Sequence, residues 1–247
     1  GRISPVFRET YKTESGYPVS ENRLDSIRGC AMKIKFLGHA TFLITGSNGV
    51  SVLTDPYQTG AFGGAIGFDP ISDGADVVTV SHEHEDHAAT SAVPGQPLIV
   101  RSECQAKGIV FDVIPTFHDQ NQGASRGDNR IFLFDIDGIK VAHFGDLGHI
   151  PTPRQVKQLE GVNVAMIPVG GKFTIGPSEA WELVKRFLPN IVIPMHFKTP
   201  KIGFPLASIE QFLEGKTDVR REIGSEISLE KSLLPEPIQI VFLPPAN

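Results

Sequence analysis

Residues 76–87 read Asp-Val-Val-Thr-Val-Ser-His-Glu-His-Glu-Asp-His, an apolar run that fits a buried strand, followed at once by three of the chain's eight histidines and several carboxylates. A strand that runs into His-X-His-X-Asp-His puts two imidazoles, and a carboxylate beside a third imidazole, on one short turn. Neutral imidazole and carboxylate are the usual nitrogen and oxygen ligands of zinc and related divalent ions. A single histidine here would read as part of a solvated loop, whereas this density points to metal or proton chemistry. Taken alone, the turn offers His82, His84, Asp86 and His87 to either one ion or two.

The periodic apolar pattern begins abruptly at Met32. Residues 1–31 are polar, contain the turn signal Ser15-Gly16-Tyr17-Pro18 and lack the apolar stretch of a secretory signal. They read as an N-terminal extension of open role, with 32–247 as a single domain. At 247 residues and 40% hydrophobic content the chain can bury a sizeable core. A net charge of -5 without a basic stripe argues against a nucleic-acid partner, and no apolar run is long enough to cross a bilayer. Cys30 and Cys104 form no paired thiolate motif. The expectation is a cytoplasmic protein acting on a small molecule, with its oligomeric state left open.

Met32, Ile34 and Phe36 alternate with Lys33 and Lys35, the pattern of a half-buried strand. Further strands are expected over 40–44, 50–54, 75–80, 97–100, 109–114, 131–136, 139–144, 163–169, 191–195 and 237–243. Ser47-Asn48-Gly49 and Asp137-Gly138 mark tight hairpins. Thr152-Pro153 opens a short helix to about residue 159. A clearer helix starts at Pro177, with Ala180, Leu183, Val184, Phe187 and Leu188 on one stripe bordered by Trp181. Ile209, Phe212 and Leu213 mark a third. This succession suggests stacked sheets covered by helices. Four strands end in candidate ligands: the turn at 82–87, His118, Asp146 and His196.

The set His82-X-His84-X-Asp86-His87, then His118, Asp146 and His196, resembles the metallo-β-lactamase superfamily over residues 32 to about 213. That resemblance implies a four-layer αββα sandwich, a mixed α/β (α+β) fold, with the site at one edge between the sheets. It also implies that His82, His84 and His118 hold one metal, that Asp86, His87 and His196 hold a second, that Asp146 bridges them, and that Asp55 supports the metal loop. Gly38-His39-Ala40-Thr41-Phe42, Gly145-Asp146-Leu147-Gly148-His149, Pro168-Val169-Gly170-Gly171 and Pro194-Met195-His196 are similar to the ascorbate-6-phosphate lactonase-like, zinc-dependent hydrolase branch. Class B1 β-lactamases carry cysteine where Asp146 stands, so antibiotic hydrolysis is not expected. The helical C-terminal domain of glyoxalase II enzymes has no counterpart in the sequence.

Two divalent ions, zinc foremost and manganese, iron, nickel or cobalt as alternatives, would lower the pKa of a shared water toward ~7. Set against Asp86, Asp146 and a hydroxide, they leave a formal charge of about +1, which suits an anionic substrate. The expected activity is a metal-dependent hydrolase whose bridging hydroxide, oriented by Asp86, attacks a lactone or ester carbonyl. A phosphodiesterase on the same site is the alternative, and a non-catalytic metal-binding or sensor protein is the rival from another class. His39 and His143 read as core histidines or partners of the ligands more than as ligands themselves. His149 is expected either to give a proton to the leaving group or to cap the helix that follows. Arg126, Lys172 and Lys198 are candidate contacts for an anionic substrate, Arg126 first because its planar fork matches such groups. Asp119 reads as a loop cap.

Overall fold

The structure is a computed structural model that describes residues 31–246. The expected extension therefore lies outside the described residues except for Ala31. Two mixed sheets pack face to face. The first contains β1 (Met32–Gly38), β2 (Thr41–Thr45), β3 (Ser51–Thr54), β4 (Val77–Thr79) and β5 (Leu98–Val100). The second begins with β6 (Cys104–Ala106), β7 (Ile109–Phe117), β8 (Asp128–Ile136) and β9 (Ile139–His143), and continues through β10 (Val164–Pro168), β11 (Ile191–Met195) and β12 (Val219–Arg221). The chain then adds β13 (Glu226–Leu229) to the first sheet and β14 (Gln239–Phe242) to the second. The resulting orders are β13-β1-β2-β3-β4-β5 and β12-β14-β11-β10-β9-β8-β7-β6.

Local chemistry accounts for most of these elements. Met32, Ile34 and Phe36 are buried while Lys33 is exposed, as the alternation requires. Both hairpins form, β2 with β3 and β8 with β9. Asp137 and Gly138 take φ of 55° and 75°, the left-handed pair of a two-residue turn. The two hairpin tips are also tied together across the sandwich: Asp137 accepts from the Ser47 amide at 2.7 Å and from its hydroxyl at 2.8 Å. β10 and β11 are parallel and buried along their whole length, because sandwich and helices cover both faces.

The helices are α1 (Pro153–Gln158), α2 (Pro177–Phe187) and α3 (Ile209–Leu213). Thr152 caps α1 as expected, accepting from the Gln155 amide while Gln155 Oε1 accepts from the Thr152 amide. On α2 the side chains of Ala180, Leu183, Val184 and Phe187 are buried. Leu188 departs from the expected stripe: it is the C-cap, at φ 50°, and is 67% exposed. Pro189 follows it, and a residue before proline is disfavoured in the α region, so the helix stops one residue early.

The sandwich interior joins Met32, Ile34, Phe36, Phe42 and Ile44 to Phe132, Phe134, Val141 and the buried faces of α1–α3 in one apolar cluster. A second cluster lies on the other face of the first sheet, where Leu37, Leu53, Val78 and Val80 are covered by Tyr57, Ile66, Phe68, Ile71, Ile202 and Leu206. Among the described residues this cover is an irregular segment with only a four-residue helical turn, Ala61–Gly64, whereas the expected layering placed helix there. The segment is rich in glycine and proline, which keeps it from forming longer helix.

Three strands were not expected. β6 and β12 are short edge strands with exposed side chains and no apolar alternation. β13 does alternate, with Ile227 and Leu229 buried, but its partner β1 lies nearly two hundred residues away in sequence. The sheet edges β5, β6, β12 and β13 all have three or four residues, which limits the unpaired backbone they present.

Phe68 links the irregular cover to the site. It is fully buried, stacks near Tyr57 at 5.3 Å and occupies the space a Cβ on Gly38 would enter, immediately before His39. Phe68→Ala is expected to cost about 3–5 kcal/mol in urea unfolding. A loss below about 1 kcal/mol would contradict this packing role.

Candidate metal centre

Six strand ends meet at one rim of the sandwich. β1 ends at His39, β3 at Asp55 and β4 runs through Ser81 into the 82–87 turn. β7 delivers His118, β9 leads to Asp146 and β11 delivers His196. The turn closes on itself, with the amides of His87 and Ala88 both donating to the His84 carbonyl. His39, Asp55 and His196 adopt φ of 54°, 38° and 53°. Left-handed backbone at non-glycine residues costs on the order of 1–3 kcal/mol each, and it concentrates at sites where side-chain direction matters. Gly148 allows two of these loops to touch, because a Cβ there would collide with the backbone of His118 and Asp119.

The donor atoms fall into two adjoining groups. Ligand atoms of His82, His84 and His118 lie within 4.8 Å of one another, and so do those of His39, Asp86, His87 and His196. Asp146 lies between them: its Oδ2 is 3.2 Å from His118 Nε2 in the first group and 3.3 Å from His196 Nε2 in the second. His87 Nε2 is 3.2 Å from Asp146 Oδ1, and His82 Nε2 is 4.0 Å from Oδ2. Donors around one ion with bonds of about 2.0–2.2 Å sit roughly 3–3.5 Å apart, so most of these spacings suit shared ions. His82 Nε2, His87 Nε2 and Asp146 Oδ1 are buried without a hydrogen-bond partner, a cost that a bound cation would relieve. The residues present therefore fit metal.

The electrostatics fit as well. Burial, reinforced by the neighbouring His87, lowers the His82 pKa to about 3, so its ring is neutral and able to ligate. Burial and then His118 lower that of His84. At His87 burial works in the same direction but is outweighed by Asp146 and Asp86, which raise the pKa well above its usual value. Burial would raise the Asp146 pKa, yet His196, His87 and His118 hold it well below the ordinary carboxylate range. Asp86 behaves similarly under His87 and His39. Protons that balance these carboxylates are the ones a divalent ion displaces.

A buried network aims the donor side chains. Asp55 Oδ1 accepts from the Ser81 amide at 2.8 Å, and its Oδ2 accepts from Ser81 Oγ at 2.5 Å and His87 Nδ1 at 3.0 Å. With its single proton given to Asp55, Ser81 Oγ accepts from His82 Nδ1 at 2.9 Å. Both imidazoles thus present Nε2 to the site, His82 with a bare lone pair. His39 Nε2 donates to Asp86 Oδ2 at 3.0 Å, and burial, with His196 second, lowers the His39 pKa to about 4. Asn129 accepts from the Asp146 amide at 2.9 Å while its Nδ2 donates to Thr116 Oγ1 and the Phe144 carbonyl. Ser81 and Asn129 were not singled out in the sequence. Ser81 had a signal in its place between the strand and the histidine turn, but Asn129 had none.

Other expected contacts resolve differently. His143 donates to the Ala40 carbonyl at 2.8 Å, accepts from the Gly145 amide at 3.3 Å and comes no nearer to Asp55 than 3.9 Å. It is a satisfied core histidine that bridges the sheets. His149 accepts the Phe117 amide at Nε2, 3.1 Å, and donates from Nδ1 to the Ile150 carbonyl, 3.0 Å. Both ring nitrogens are engaged by backbone, which corrects the expectation of a proton donor and leaves the α1 cap to Thr152. A cavity of about 250 Å³ opens over the donors, lined by His84, Asp86, His118, Asp146, Arg126 and three phenylalanines. Of the three candidate cations only Arg126 lines it. Lys198 Nζ is bound to the carbonyls of Ile202 and Phe204, and Lys172, next to the lining residue Phe173, is exposed. A larger groove of about 570 Å³ beside Trp181 and Pro237 contains none of the donors.

Two packed sheets whose strand ends bring histidine and aspartate into paired donor groups define a metallo-β-lactamase fold. The model of the β-lactamase superfamily domain matches residues 33–196, a span that contains every donor named above. The chain belongs to this superfamily. It is 32% identical over 225 residues to a UPF0173 metal-dependent hydrolase of Pelotomaculum thermopropionicum, covering 78% of this chain and 97% of that protein. A protein of the same name from Methanospirillum hungatei is 30% identical, with 81% and 100% covered. A solved structure from Thermotoga maritima, provisionally described as a Zn-dependent hydrolase of the metallo-β-lactamase superfamily, superposes with a TM-score of 0.70 at 34% identity, covering 85% of this chain and 97% of that one.

Asp55→Asn keeps the shape of the network but breaks its charge and its acceptor pattern. It is expected to weaken metal binding about 10–100-fold, read by competition with a chromogenic chelator. Unchanged affinity would remove Asp55 from the site.

Proposed function

We propose that this chain is a metal-dependent hydrolase that opens a lactone or another carboxylic ester of a small anionic substrate. The observation that carries this reading is the position of Asp146, within 3.3 Å of donors in both groups and on the floor of the cavity. His82, His84 and His118 would hold one ion, Asp86, His87 and His196 the other, and Asp146 would span the two. When bound, the ions supply Lewis acidity and a water acidified toward neutral pH. Zinc fits the nitrogen and oxygen donors, as manganese, iron, nickel or cobalt also would.

Asp86 is the group that handles the proton. Its carboxylate lines the cavity, is held ionised and is fixed by His39, so it can accept a hydrogen bond from the attacking water and set its direction. The proton it takes up is then available to the departing alkoxide. With His149 engaged by backbone, no role in protonating the leaving group is assigned to it. Arg126 at the cavity wall meets the substrate anion.

The names of the UPF0173 relatives support hydrolysis without giving a substrate. The resemblance of the short motifs around His39, Asp146, Gly170 and His196 to the ascorbate-6-phosphate lactonase-like branch is what favours a carbonyl centre. A phosphodiester is the second reading, favoured by Arg126, whose guanidinium suits phosphate as well as carboxylate. A non-catalytic metal-binding role is the rival that an unchanged activity of Asp86→Asn with metal still bound would favour.

Metal-loaded protein is expected to turn over a panel of lactones and aryl carboxylic esters faster than bis-aryl phosphodiesters. Asp86→Asn is expected to lower that rate about 10²–10⁴-fold. The reverse preference selects the phosphodiesterase. No turnover of either class, or an Asp86→Asn protein as active as the parent, counts against hydrolysis.

A further inference from the structure

The wall of the cavity above the donors is aromatic. Phe62 meets Phe204 at 5.6 Å between ring centroids with the planes at 60°, and Phe204 meets Phe173 edge-on at 5.2 Å and 86°. The Arg126 guanidinium lies over the Phe173 ring, 4.5 Å from its centroid, and forms no ion pair among the described residues. These side chains come from four separate loops, yet all four line the same cavity as His84, Asp86, His118 and Asp146.

Phe62 has no evident stabilising role. It is 48% exposed, so little of its ring leaves water, and its backbone sits at φ 53°, ψ 45°, where a bulky L residue is strained and glycine is not. An outlier of this kind beside a site is an argument for function. Arg126 is held in place on purpose-built backbone. The carboxylate of Asp119, next to His118, accepts the amides of Asn121 at 2.7 Å, Gly123 at 3.0 Å, Ser125 at 2.8 Å and Arg126 at 2.8 Å. That one side chain fixes the loop carrying Arg126 relative to a donor histidine, which makes Asp119 a positioning residue.

We infer that the site selects small esters or lactones carrying an anionic group beside a flat apolar arm, the anion met by Arg126 and the arm by the Phe62–Phe204–Phe173 series. This rests on the hydrolase reading above. The cavity of about 250 Å³ suits a small molecule, and at Phe62 and His84 it adjoins a wider groove of about 580 Å³. Within this cavity a polyhydroxylated substrate such as a sugar lactone is disfavoured, because among the described residues that line it Arg126 is the one polar side chain beyond the metal donors, and hydroxyl groups facing three rings would lose their hydrogen bonds. Edge and face contacts with the rings suit an aryl group.

The test uses the full metal-loaded chain and calorimetric binding of phenylacetate, acetate, phenylacetamide and gluconate. Phenylacetate is expected to bind about tenfold more tightly than acetate and gluconate, and about tenfold more tightly than phenylacetamide. Direct ligation of metal by carboxylate is common to phenylacetate and acetate and cancels from their ratio. Phe62→Gly should abolish the advantage over acetate while leaving the melting temperature unchanged or raised, since glycine relieves the backbone. Arg126→Gln should weaken phenylacetate severalfold while leaving phenylacetamide unchanged, which narrows the ratio between them. Binding of the three anions within threefold of one another, or ratios unaffected by Phe62→Gly, would overturn the inference. Hydrolysis of methyl and phenyl-bearing esters without preference would also overturn it and leave the hydrolase reading intact. Selective binding with no turnover of any ester would do the opposite.

Discussion

Asp55 is a fully buried carboxylate, and nearly everything at the centre follows from how its charge is satisfied. An ionised carboxylate away from water is tolerable only with strong donors around it. Here those donors are Ser81 and His87, the residues that flank the histidine turn. The same bonds that stabilise the charge therefore fold the turn, fix which nitrogen of His87 faces the site and, through Ser81, fix that of His82. Burial would raise the Asp55 pKa, but the histidines around it, His143 and then His87, hold it below its usual value, and His143 also bridges to the opposite sheet through the Ala40 carbonyl.

The sandwich supplies rigidity and the loops supply direction. Strands of both sheets end at one rim, and the residues just beyond them take conformations that would be unfavourable elsewhere: His39, Asp55 and His196 are all left-handed. His196 also donates its amide to the His39 carbonyl, which joins the two sheets at the site itself. Local strain is offset by the packing beneath it, including Phe68 under Gly38 and the continuous cluster between the sheets. No helix among the described residues is long and apolar enough to cross a membrane.

Much of this was legible in the sequence, for physical reasons. The strict alternation at 32–36, the Asp-Gly turn and the Thr152-Pro153 start act locally, so they can be read locally. The histidine turn was legible because no ordinary structural role gathers so many imidazoles. What escaped depends on distance or on competition. β13 pairs with a strand from the other end of the described chain, and Asn129 matters only because β7, β8 and β9 bring it beneath Asp146. His149 and Lys198 have the right chemistry and the right neighbourhood, but nearby carbonyls and an amide take their polar atoms first. Leu188 belongs to an apolar stripe by spacing and to solvent by virtue of the proline after it. The aromatic wall could not be seen at all, since Phe62, Phe173 and Phe204 meet only through folding.

We propose that the two donor groups sharing Asp146 form one dinuclear site. Elemental analysis of the purified chain, after equilibration with zinc and removal of loosely held ions, tests it most directly. Two ions per chain are expected, falling to one or none in Asp146→Ala with the fold retained by circular dichroism. A single ion in the parent protein, or two ions that persist in Asp146→Ala, would contradict the shared site.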